Sequence, residues 1–280
     1  MMKELSVSNF SLKDTVECGQ TFCWVQEGNG YVNADIGQAV YVEQEGDVLR
    51  WESSDRSVDI AKLFRLEDPL LEIQKDIAKD EFMTNSIRYA PGLRIINDPV
   101  YPCLISFLCA TWKGIPAIKT MVQRIRESCG PHFEIRGVIH YGMPTPEQLC
   151  ALDDTILKSL GLAWRAEFIR RATDSILNGD VNLEALKDET YEEAHSKLRM
   201  LHGVGNKVAD CVALFSLGHL EAFPIDVWIE KVIQEHYGIF TESGQSYQQK
   251  SKAARKYFGQ YAGYAQEYLY YYSRSMGDKI

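Results

Sequence analysis

The residues of this 280-residue chain best suited to chemistry are a lysine and an aspartate carried by one glycine-bearing stretch. The stretch reads Leu201-His202-Gly203-Val204-Gly205-Asn206-Lys207-Val208-Ala209-Asp210-Cys211, and Pro224-Ile225-Asp226 follows it. Lys207 falls in the first turn of a helix, where the macrodipole disfavours an ammonium and burial disfavours it further. An amine freed in this way can attack an electrophilic carbon and form a Schiff base. Asp226 supplies a carboxylate that, fixed in a dry site, stabilises positive charge developing on a sugar. Each residue also has a plainer use. Lys207 would serve as a phosphate-binding or solvated lysine, and Asp226 as the N-cap of a helix from Val227 to Tyr237.

The elements around these residues have clear signals. Gly203 and Gly205 permit a tight turn whose backbone N–H groups lie close to an approaching partner. Thr190 and Glu193 form a capping box that opens a helix through Ala194, Leu198 and Leu201. Beyond the turn, Val208, Cys211, Val212 and Phe215 recur at helical spacing. The predicted unit is helix, Gly-Val-Gly hairpin, helix. The hairpin amides and the positive end of the second helix face the same way, which makes an anion site suited to a phosphate.

Two compositional regions flank this unit. Up to about residue 95 the chain favours antiparallel strands: Tyr41-Val42-Glu43-Gln44, a Gly46-Asp47 turn and Val48-Leu49-Arg50-Trp51 spell a hairpin. A helical pattern runs from Asp68 to Ala78, and after Pro99 nearly everything reads as amphipathic helix, with a further start signal at Thr145-Pro146-Glu147-Gln148. The expected fold class is α+β. An antiparallel sheet domain over residues 1–95 packs against a helical helix-hairpin-helix domain over 96–280, whose two subdomains enclose a cleft.

Composition narrows the function. Seven cysteines show no regular metal spacing and are odd in number, so neither a disulfide framework nor a zinc site is indicated. No stretch approaches membrane-spanning length and no signal-like segment opens the sequence, so cytoplasmic residence is the expectation. The net charge of −9 is unfavourable for a phosphate-rich partner. Its distribution softens the objection: residues 1–90 hold nine Lys/Arg against seventeen Asp/Glu, whereas 91–220 hold fourteen against fifteen and 221–280 seven against seven. Helix amides can also hold phosphates without side-chain charge.

The string from Leu201 to Cys211 with Asp226 resembles the helix-hairpin-helix, Gly/Pro, Asp signature of base-excision DNA glycosylases, and its likeness to the 8-oxoguanine branch extends over nearly the full length. The resemblance implies a glycosylase and abasic-site lyase with Lys207 as nucleophile and Asp226 as catalytic carboxylate. It implies a base pocket made by Gly19, Gln20 and Phe22 of Cys18-Gly19-Gln20-Thr21-Phe22, with Cys211, Gln266 and Tyr270. In that pocket a glycine carbonyl accepts the N7–H that 8-oxoguanine carries and guanine lacks. It implies DNA contacts from Gly203 and Gly205, from Trp164 as an intercalating wedge, and from Arg165 as reader of the estranged base. Trp112, Lys113 and Trp228 complete the implied DNA-facing set. Duplex DNA containing 8-oxoguanine is the implied partner, a monomer suffices, and no cofactor is needed. A structural cation on the carbonyls of Arg199, Leu201 and Val204 is the one metal the resemblance suggests.

The departures are specific. Where animal members carry an asparagine run and then an arginine, this chain has Ala110-Thr111-Trp112-Lys113-Gly114-Ile115-Pro116-Ala117, with Ala117 in the arginine's place. Trp228 replaces a histidine. Relaxed discrimination of the opposite base is the expected consequence. The alternatives are a glycosylase of another base specificity and a non-catalytic helix-hairpin-helix reader of DNA damage. Alkylpurine enzymes lack the lysine, and adenine enzymes carry an iron–sulfur loop for which no cysteine follows Cys211.

Overall fold

A computed structural model describes residues 2–242 and 244–277. Five antiparallel strands open the chain: β1 (Lys3–Ser6), β2 (Trp24–Glu27), β3 (Gly30–Asn33), β4 (Val40–Glu45) and β5 (Val48–Ser53), in the order β1-β5-β4-β3-β2. The hairpin expected around Gly46-Asp47 is β4-β5, closed by a two-residue turn with Glu45 opposite Val48. Gly46 adopts φ 57°, as such a turn requires.

A sixth and a seventh strand, β6 (His132–Ile135) and β7 (Val138–Tyr141), interrupt the region expected to be helical. They pair across Arg136-Gly137, both at positive φ. Their apolar side supplies Ile135 and Phe133 to Val32, Ala39 and Tyr41, which covers the outer face of the sheet. The strands β3 and β4 are therefore buried on both faces over much of their length.

The inner face joins one continuous apolar core with the helices. Helices Leu70–Ile77 and Glu81–Tyr89 lie against the C-terminal helix Ala262–Gly277. Helix Ile115–Cys129 is tied to the sheet by Arg126, whose buried guanidinium is paired with Asp35 and donates to the Phe22 carbonyl at 2.8 Å. Among the described residues no helix is long and apolar enough to cross a membrane.

Candidate active site

Helices Tyr191–Leu198 and Asn206–Val212 form the expected helix-hairpin-helix unit. Both bonds of the Thr190/Glu193 capping box are present. Gly203 bends the connection at φ 84°, where a Cβ would overlap the Phe168 ring. Gly205 differs from expectation. It has an ordinary extended backbone (φ −88°, ψ −179°) and open space where a Cβ would stand. Turn geometry therefore does not require a glycine here, and the missing side chain leaves the start of the second helix open from outside.

Lys207 projects from the first turn of the second helix into a cleft of about 1320 Å³. Its Nζ lies 4.7 Å from the centre of the Phe107 ring, which is stacked on Phe215 at 5.6 Å. Phe107 comes from the apolar helix Val100–Ala110, and an aromatic face is a favourable seat for a cation.

Across the cleft Asp226 caps helix Val227–His236, its Oδ1 accepting from the N–H groups of Trp228 (3.0 Å) and Ile229 (2.9 Å). The cap engages one oxygen and leaves the other to the cleft. Burial raises the Asp226 pKa above the ordinary value, opposed by the cap hydrogen bonds and by the charge of Lys207. Capping and chemistry are thus compatible in one carboxylate.

The same cleft is lined by Gly19, Phe22, Cys211, Gln266 and Tyr270. Gly19 sits at φ 117°, and a Cβ there would stand 2.8 Å from Arg274 and 3.0 Å from the Tyr270 ring. Arg274 donates to the carbonyls of Cys18 (2.7 Å) and Glu17 (3.1 Å), fixing the turn that carries Gly19. Burial pushes the Cys211 thiol up to about 12, so it acts as a small apolar wall.

Gln20 requires a correction. It is buried away from the cleft, its amide donates to the carbonyls of Thr15 (2.8 Å) and Arg94 (2.7 Å), and its Oε1 accepts from Ile96 N–H (2.9 Å). With three bonds to backbone it clamps two segments of the fold and has nothing left for a base.

Arg165 is a second correction. Its guanidinium is buried, donates to the Thr111 carbonyl and lies 4.2 Å from the Trp164 ring, so it ties two loops together instead of facing a partner. Those loops carry the exposed aromatics. Trp112, 86% exposed at φ 57°, heads one; Trp164, packed edge-on against Phe168 at 4.9 Å, heads the other. Trp112, Lys113 and Trp228 line the cleft mouth.

Comparison with known proteins decides the family. Residues 3–104 match the family described as 8-oxoguanine DNA glycosylase, N-terminal domain. The chain is 30% identical to the Clostridium acetobutylicum 8-oxoguanine glycosylase/lyase, covering 97% of this chain and 98% of that one, with a TM-score of 0.87. The chain belongs to the 8-oxoguanine DNA glycosylase family. The MBOgg1 structure in complex with a low-affinity DNA ligand agrees, at 31% identity, TM-score 0.89 and coverage of 99% and 96%. The Arabidopsis thaliana N-glycosylase/DNA lyase OGG1 is 28% identical, over 95% of this chain and 78% of its own length.

Several residues of this family member's cleft escape sequence reasoning: Phe107, Tyr247, Glu267 and Arg274 line it, and the buried Asp210 holds the Tyr247 hydroxyl. The turn after helix Tyr191–Leu198 also offers oxygen donors. Leu201 O accepts Val204 N–H at 3.1 Å, while the carbonyls of Arg199 and Val204 take no part in the backbone bonds of the turn. These oxygens suit a hard cation in kind. Among the described residues no His, Cys, Asp and Glu group could hold a metal.

Proposed function

We propose that this chain is a bifunctional DNA glycosylase and abasic-site lyase that excises 8-oxoguanine from duplex DNA. The observation that carries the reading is the meeting of Lys207 and Asp226 in one cleft whose walls are Gly19, Phe22, Cys211, Gln266 and Tyr270. A base inside a duplex cannot reach such a cleft, so the damaged nucleotide swings out of the stack, with Trp112 and Trp164 at the duplex surface. The anion site of the hairpin holds a backbone phosphate through its amides.

Chemistry then follows from the two side chains. As the bond from C1′ to N9 breaks, the electron pair leaves with the base and the sugar gains oxocarbenium character, which Asp226 stabilises. The Lys207 amine adds to C1′, and ring opening yields a protonated imine. The imine acidifies the C2′ proton, and its loss expels the 3′ phosphate and cuts the strand. The protein acts as a monomer, in the cytoplasm, on nucleoid DNA.

Borohydride trapping tests this. With wild type and Lys207→Gln on a duplex holding one 8-oxoguanine, beside an undamaged duplex, an adduct is expected only for wild type on the lesion. Specific lesion binding with no adduct from either protein would make Lys207 structural and the chain a damage reader.

A further inference from the structure

Glu267 stands beside Gln266 on the C-terminal helix, lines the cleft and is 1% exposed. Its Oε1 is buried with no hydrogen-bond partner, and so is the Oε1 of Gln266. Two adjacent buried side chains thus hold unsatisfied oxygens in one cavity, a costly arrangement unless a ligand supplies the partners.

The charges around Glu267 explain its state. The Cys18 thiol lies against it from the turn that carries Gly19, Tyr270 and Arg274 face it from its own helix, Lys207 from the hairpin unit and Asp226 from the opposite cap. Burial dominates and lifts its pKa to about 7, with Asp226 adding to the rise and Cys18, Arg274 and Lys207 opposing it. A neutral carboxyl presents one O–H donor and one acceptor side by side. That pattern is complementary to an N–H/C=O edge of a purine. 8-Oxoguanine carries two such edges, N1–H with C6=O and N7–H with C8=O, whereas guanine has only the first.

Resting on the proposed function, we infer that Glu267 is a base-reading residue: its carboxyl group, whose Oε1 is unpartnered beside Gln266 in the wall of the cleft, pairs with an N–H/C=O edge of the extruded base. Ionisation replaces the donor with a second acceptor, which then opposes the base carbonyl. Excision should fall as pH rises through neutrality for this reason alone.

The experiment measures single-turnover excision on a duplex with 8-oxoguanine and strand cleavage on the same duplex with a preformed abasic site, for wild type, Glu267→Gln and Glu267→Leu. The glutamine amide keeps a donor and an acceptor but cannot titrate. The wild-type to Glu267→Gln ratio on the lesion is expected to fall about tenfold from pH 6 to 8.5, since an opposed, desolvated acceptor pair costs at least this much. Glu267→Leu is expected to lose about 100-fold on the lesion and at least tenfold less on the abasic duplex, where no base remains to read. A ratio that is flat with pH, or equal losses on both duplexes, would overturn the inference. Absence of wild-type activity on either duplex would instead sink the proposed function.

Discussion

Tyr247 donates its hydroxyl proton to Asp210 at 2.6 Å, and the same oxygen accepts the N–H of Ile225 at 3.1 Å. Asp210 lies three residues after Lys207 on the same helix, and Ile225 immediately precedes Asp226. One hydroxyl therefore sets the position of the loop that carries Asp226 relative to the helix that carries Lys207. Tyr191 supplies a second donor to Asp210, which opposes the upward push of burial on its pKa.

Tyr247→Phe removes only the hydroxyl and leaves both a carboxylate oxygen and an N–H unpaired. A stability loss of about 1–3 kcal/mol is expected from urea unfolding. Because the loop carries Asp226, excision should slow by about 10–100-fold as the carboxylate drifts. Wild-type excision in a measurably destabilised protein would show that the bridge supports the fold alone.

Asp226 combines an N-cap with a proposed catalytic charge, and Asn separates the two. Asn caps a helix about as well as Asp, so the melting temperature of Asp226→Asn should change little. Excision should fall by about 100–1000-fold once the charge opposing the oxocarbenium ion is gone. The pH profile gives a second check. Burial raises this carboxyl, and the ionised form is the active one, so activity is lost as pH falls through a value above the usual aspartate range. An acid limb at the ordinary aspartate value would contradict the burial of the site.

Local signals made much of the fold legible. The capping boxes at Thr190 and Thr145 and the Gly46-Asp47 hairpin depend on residues a few positions apart, and all three are formed. The β6-β7 hairpin has a comparable signal, alternation about Arg136-Gly137, but lies inside a region where nearly everything else reads as amphipathic helix. The expectation for Gln20 and Arg165 rests on their segments, in which the neighbours Gly19 and Phe22 line the cleft and Trp164 is exposed. A single step along irregular backbone turns a side chain from cleft to core, and that turn is invisible in spacing. Phe107 on helix Val100–Ala110 and the pair Glu267 and Arg274 on the C-terminal helix reach the cleft from segments more than a hundred residues apart, so only packing brings them together.

The two hairpin glycines should respond differently to alanine. Gly203→Ala forces a side chain into positive φ and against Phe168, at a combined cost of about 2–5 kcal/mol. Gly205→Ala meets open space and an ordinary backbone, so folding should be nearly unaffected. DNA affinity should nevertheless fall for Gly205→Ala, because its Cβ stands where a phosphate approaches the amides. Paired thermal melts and fluorescence-anisotropy titrations distinguish these outcomes. Unchanged DNA affinity in Gly205→Ala would remove the hairpin from the DNA interface.

Opposite-base preference follows from which guanidinium groups are free. A bidentate arginine discriminates between bases by about 1–3 kcal/mol, and it must be exposed to do so. Ala117 offers no such group, and Arg165 is buried and spent on the Thr111 carbonyl. Nearby stands Trp112, an exposed aromatic able to fill space in a duplex without reading base edges. Excision of 8-oxoguanine opposite A, C, G and T should therefore agree within about tenfold, the discrimination that one forfeited contact represents. Ala117→Arg, at an exposed position on helix Ile115–Cys129, should restore a cytosine preference by about 10–100-fold while leaving the melting temperature near wild type. Strict cytosine preference in the wild type would mean that Arg165 releases Thr111 on binding DNA, and Thr111 would then be the residue to watch in a complex.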